Sequence, residues 1–170
     1  AIRVDTHGGS LRGIAKRTGS RHPARAGVAE LIAHEASRGL NTLDAYARLK
    51  QQIAQRRSEL THLLMQLKAA GKTVMGFGAP AKATTLMYHF GLGPETLTAI
   101  IDDSPLKQGR YSPGHHLPIV PSSHLYQAST RPDYALILAW NFAESIIATH
   151  QRFRESGGHF IIPLPTVEVI

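Results

Sequence analysis

Seven consecutive residues, Gly76-Phe77-Gly78-Ala79-Pro80-Ala81-Lys82, have the types and spacing to hold a phosphate. They match G-x-G-x-x-A. In that pattern the first glycine permits a tight turn, Gly78 lets a phosphate approach the backbone, and a small Ala81 lets a helix pack on a sheet. Pro80 suits a first helical turn, where a missing N–H costs nothing. A helix starting here offers free amides and a partial positive charge to an anion, and Lys82 adds a full charge. Asp102 lies 24 residues beyond Gly78, near the place of a ribose-binding acid. The same residues also suit a plain strand-to-helix turn with Lys82 in solvent. Asp102-Asp103-Ser104-Pro105 is equally a good turn starter. Local sequence leaves both readings open.

A second group lies in the loop SPLKQGRYSPGHH. Lys107 and Arg110 can bind phosphate oxygens. Tyr111 can stack on a base or hydrogen-bond to a sugar, with Ser112 beside it. Solvent exposure is the alternative for these charges, since loops are polar by default. Asn141, after Trp140, either contacts a ligand or caps a helix. His115-His116 invites a metal reading, but adjacent histidines rarely chelate one ion and no carboxylate lies at helical spacing from them, so no metal is expected.

These residues need a scaffold, and the pattern supplies one. KTVMGF reads as a strand, Pro80–Phe90 as a helix closed by Gly91, and LTAII as a strand ending at Asp102. LPIV reads as a short strand and Ser122–Gln127 as a short helix. DYALILA is apolar throughout, as a strand buried on both faces must be. Phe142–Ser156 reads as one helix with Ile146, Ile147 and Phe153 inward. HFIIPLP follows as a strand, and VEVI can add an edge. Strands alternating with helices predict a Rossmann-like three-layer α/β domain with a parallel sheet over residues 72–170.

Before it, IRVD and LRGIAK flank Thr6-His7-Gly8-Gly9-Ser10 and predict a hairpin over residues 1–17. A linker and helical arm fill residues 18–71. Residues 26–38 read as a helix, and a longer one runs to about Ala70. Leucines near a 3.5-residue spacing make that helix a strut or a dimer seam; the lapse at Arg56-Arg57 favours the strut. Met65, Met75 and Met87 read as core filler. A lone hairpin is marginal in water, so this one reads as the tail of a larger sheet, and a start at Ala1 fits a fragment.

Composition narrows the function. There is no cysteine, which excludes disulfides, thiolate metal sites and a cysteine nucleophile. The longest apolar run, Tyr134–Trp140, is far too short to span a bilayer. No membrane association is expected, and a cytoplasmic location is. The net charge of +7 lies entirely in residues 1–71, while residues 72–170 are neutral. With no interleaved aromatics to stack bases, this charge does not predict nucleic-acid binding.

GFGAPAKATTL, IIDDSPLKQGRYSPGHHLPI, LAWNFAESI and GGHFIIPLP, in this order, resemble the C-terminal domain of S-adenosylmethionine-dependent sugar C-methyltransferases. HGGSLR resembles the end of their methyltransferase domain. The resemblance implies methylation of a carbon beside a ketone on a nucleotide-linked deoxysugar. A base would remove the α proton, and the carbanion would attack the sulfonium methyl. It also implies that S-adenosylmethionine and the base belong mainly to an upstream domain on which this chain packs; a homodimer stays open. No catalytic residue is assigned, with His7 the one candidate. The role left for this chain is to help hold the nucleoside-diphosphate sugar through Gly76, Gly78, Ala79, Pro80, Lys82, Asp102, Lys107, Arg110, Tyr111 and Asn141. Two other readings stand beside it: a nicotinamide-binding domain of an oxidoreductase, from the glycine loop and Asp102, and a non-catalytic assembly module, from the long helix.

Overall fold

The computed structural model describes every residue except Ala24 and the side chain of His7. The chain forms two compact units, Ala1–Ala54 and Gln55–Ile170. In the first, β1 (Ile2–Val4) pairs antiparallel with β2 (Ser10–Arg12). A single 3-10 turn, Thr6–Gly8, joins them, and Gly8 and Gly9 take positive φ of 81° and 108°. His7 sits in that turn, and its side chain lies outside the described residues. Helix α1 (Gly27–Ser37) ends at Gly39, whose left-handed backbone lets the Leu40 amide reach the Glu35 carbonyl. Among the described residues, no side chain of Ala1–Ala54 is buried.

Helix α2 (Leu43–Ala69) runs as the leucine spacing predicts. Only its C-terminal half buries side chains, at Leu60, Leu64 and Leu67. Met65 is 67% exposed, so it is not core filler as its residue type suggested. It lies one residue past Leu64 and two before Leu67, which turns it away from the buried stripe.

The α/β unit is built on a six-stranded sheet in the order β5-β4-β3-β6-β7-β8. Its strands are β3 (Val74–Phe77), β4 (Ile100–Ile101), β5 (Ile119–Val120), β6 (Tyr134–Ile137), β7 (His159–Ile162) and β8 (Glu168–Val169). All neighbours are parallel except β7 and β8. Helix α3 (Ala81–Phe90) follows β3, and α4 (Ala143–Thr149) and α5 (Gln151–Glu155) follow β6. This is the Rossmann-like α/β architecture the alternation predicts. Pro80 stands one residue before α3 in extended backbone, rather than in its first turn.

Alternation along β4 sorts the packing. Ile101 joins Phe77, Leu125, Ile137, Phe153 and Phe160 in one buried cluster. Ile100 points to the opposite face, where it lines a cleft with Met87 of α3. The single helix expected over Phe142–Ser156 is instead a 3-10 turn (Trp140–Phe142) followed by α4 and α5. The break falls at His150, which is only 5% exposed and whose backbone (φ −109°, ψ 29°) is not helical. Its ring is committed to bonds described below, and these outrank a continuous helix.

Candidate functional site

The glycine loop leaves β3 at the C-terminal edge of the sheet. Gly76 and Gly78 are required there, for packing. A Cβ on Gly76 would stand 2.7 Å from Leu138 Cδ1, and one on Gly78 would stand 2.7 Å from Ala139 Cβ. Gly78 also takes a φ of 88°. Its amide bonds to the Ile101 carbonyl at 2.7 Å. Neither glycine needs a phosphate to account for it.

The next amide, at Ala79, donates to Asp102 Oδ2 at 2.7 Å. The same carboxylate accepts from Lys107 Nζ at 2.9 Å and, through Oδ1, from the Ser104 amide at 2.9 Å. Asp102 is 7% exposed. Burial alone would raise its pKa, but the two amides and the ammonium outweigh that and hold it below its ordinary 3.8. An internal carboxylate thus stands where an anion would meet the loop. Both Asp102 oxygens accept hydrogen bonds from within the chain, and the carboxylate is turned into the protein.

Beside this hub lies a cleft of about 260 Å³. Ala79, Pro80 and Thr84 form one wall; Lys107, Arg110, Tyr111 and Ser112 form the other. The second wall is a narrow loop closed on itself. The Ser112 amide donates to the Leu117 carbonyl, the Ile119 amide donates to the Arg110 carbonyl, and Tyr111 bridges Pro118. Ser112 is buried because its hydroxyl accepts from the Leu117 amide at 3.0 Å. Arg110 and Tyr111 stay exposed at the rim.

Lys82 does not line this cleft. It turns to the other side of α3, toward the point where the sheet order reverses between β3 and β6. There its ammonium bonds the Asn141 side-chain oxygen and stands 4.2 Å from the centroid of Trp140 and 5.8 Å from that of Phe142. Burial pulls its pKa below the ordinary 10.5. The structure therefore divides the sequence-predicted residues. Ala79, Pro80, Lys107, Arg110 and Tyr111 share one cleft, with Asp102 anchoring it from behind. Lys82 and Asn141 sit together beyond α3, and Gly76 and Gly78 are packing positions.

Sequence reasoning missed a hydrogen-bonded chain on the far face. His150 Nδ1 lies 2.8 Å from the Tyr126 hydroxyl, and His150 Nε2 lies 3.2 Å from Asp103 Oδ2. The His150 ring also packs on Phe77 at 4.9 Å. No spacing in the chain signals this, because the three residues lie 24 and 47 positions apart. Among the described residues no cluster of His, Asp and Glu can hold a metal, and no helix is long and apolar enough to cross a membrane.

A mostly parallel sheet with helices following its strands makes this unit a Rossmann-like α/β domain. Its affiliation is narrower. Residues 5–165 match the family described as the C-methyltransferase C-terminal domain, and the chain belongs to that family. It is 38% identical over 167 residues to the C-methyltransferase NovU of Streptomyces niveus. That match covers 98% of this chain and 39% of the relative, so the chain spans well under half the length of the enzyme it resembles.

Proposed function

We propose that this chain is the part of an S-adenosylmethionine-dependent C-methyltransferase that holds a nucleotide-linked deoxysugar, with the diphosphate in the cleft between Pro80 and Arg110. The observation that carries this reading is the cleft wall itself. Lys107 and Arg110 put two cations on one side of it, next to the exposed ring of Tyr111. Arg110 supplies the planar fork suited to phosphate oxygens, and Tyr111 supplies a face for a base or a hydroxyl for a sugar. Lys107 is shared with Asp102, so it adds charge at a fixed position rather than reaching freely. The methyl donor supplies an electrophilic sulfonium methyl, and in this reading it is bound outside this chain. The apolar side chains that Ala1–Ala54 leaves exposed, among them Ile14, Ile32 and Leu43, then pack on the methyltransferase domain of the same protein.

Calorimetric titration of the chain with thymidine 5′-diphosphate tests the reading. Binding is expected, and Arg110→Ala is expected to weaken it roughly tenfold, the scale of one charge-assisted hydrogen bond. Reduced nicotinamide cofactor should give no fluorescence change. Absence of both heat and thermal shift at millimolar diphosphate would overturn the proposal.

A further inference from the structure

Asp102 and Asp103 follow β4 directly, and the two-residue period of a strand sends their carboxylates to opposite faces of the sheet. Asp102 goes to the α3 face, where it holds Ala79, Ser104 and Lys107. Asp103 goes to the α4–α5 face, where it meets His150 at 3.2 Å. The loop that forms the cationic wall of the cleft is therefore pinned at its root from both sides.

We infer that His150 is a positioning residue for the cleft, acting through Asp103 to fix the place of Asp102 and with it Lys107. The inference rests on the proposed diphosphate role of that cleft. The geometry of the chain is specific. A carboxylate only accepts, so Nε2 carries the proton given to Asp103; in the neutral ring Nδ1 then accepts from the Tyr126 hydroxyl. Tyr126 closes the 3-10 turn after β5. It is flanked by Arg152, whose guanidinium carbon stands 5.4 Å from the Tyr126 ring centroid. His150 thus ties together the segment after β4, the segment after β5 and the junction of α4 with α5. Its ring is buried against Phe77, the residue just before Gly78. One side chain braces the ends of β3 and β4, from which both walls of the cleft start. Asp103 is 55% exposed at its side chain, so the contact satisfies the buried His150 N–H and is not forced by burial of the carboxylate.

Three variants of the full chain decide the matter: His150→Phe, His150→Gln and Asp103→Ala. The readouts are the amide resonances of Ala79 and Ser104, which report the Asp102 bonds, and the affinity for thymidine 5′-diphosphate. His150→Phe and Asp103→Ala are expected to move both resonances and weaken binding roughly five- to tenfold, the loss of about one hydrogen bond. Glutamine can donate to Asp103 and accept from Tyr126, so His150→Gln is expected to restore both readouts. A role confined to overall stability would lower the melting temperature and leave resonances and affinity in place, and that result overturns the inference. Resonances that move with no change in affinity also overturn it. If His150→Phe does not fold, the exposed Asp103→Ala carries the test alone. If the unsubstituted chain does not bind the diphosphate, the cleft proposal falls, and the two resonances alone then decide the bracing role of His150.

Discussion

Asp102 Oδ2 accepts the Ala79 amide at 2.7 Å, so the end of β4 is bonded directly to the loop that leaves β3. A contact of this kind usually belongs to a bound anion at a helix mouth. Here the protein supplies its own carboxylate, and the proposed recognition surface lies on the opposite wall of the cleft, at Lys107 and Arg110.

Removing that carboxylate should be costly. Asp102→Ala strands a buried amide and leaves the Lys107 ammonium without its partner. A loss of about 2–4 kcal/mol in urea denaturation is expected. The pH dependence has a definite sign. The folded pKa lies below 3.8, so the carboxylate contributes fully above that value. The contribution is lost as pH falls through the lower folded value. Wild-type stability should therefore decline below about pH 4, and Asp102→Asn should flatten that part of the curve.

The glycines differ in what they permit. Gly78→Ala meets both a left-handed backbone and a Cβ contact of 2.7 Å with Ala139, and a loss of about 3 kcal/mol or more is expected. Gly109 has a similar φ of 76° but open space around its Cβ position. Gly109→Ala should cost only about 1 kcal/mol. Equal losses at the two positions in thermal unfolding would show that the Ala139 contact adds no cost at Gly78.

Trp140 is the single tryptophan, which makes Lys82 easy to observe. With the ammonium 4.2 Å from the ring centroid, Lys82→Met should shift the emission maximum or intensity of the protein. Stability should change by about 1 kcal/mol or less, the usual worth of such a contact when partly exposed. An unchanged spectrum would place the lysine elsewhere.

Much of the fold is legible in the chain because its signals are local. The continuous apolar run from Tyr134 announces a strand buried on both faces, and Gly39, Gly71 and Gly91 punctuate the helices with positive φ. The cleft was partly legible as well: Lys107, Arg110 and Tyr111 follow the second strand of a parallel sheet, which topology sends to the ligand edge. What stayed hidden depends on contacts between distant residues. The turn-forming Asp102 gives no hint that it folds back onto Ala79. Lys82 sits in the first turn of α3, and helical phase alone cannot tell which neighbour it will meet. The break at His150 is set by partners from two other segments, and helix propensity carries no record of them.

The contrast between the two units has a consequence in time. Helix α1 buries no side chain, whereas Ala135, Leu136 and Ile137 of β6 are wholly enclosed. Backbone hydrogens of α1 should exchange with deuterated water through local fraying, while those of β6 should need global opening of the sheet. A single polypeptide therefore keeps two clocks, one set by the opening of a helical turn and the other by the lifetime of the native state.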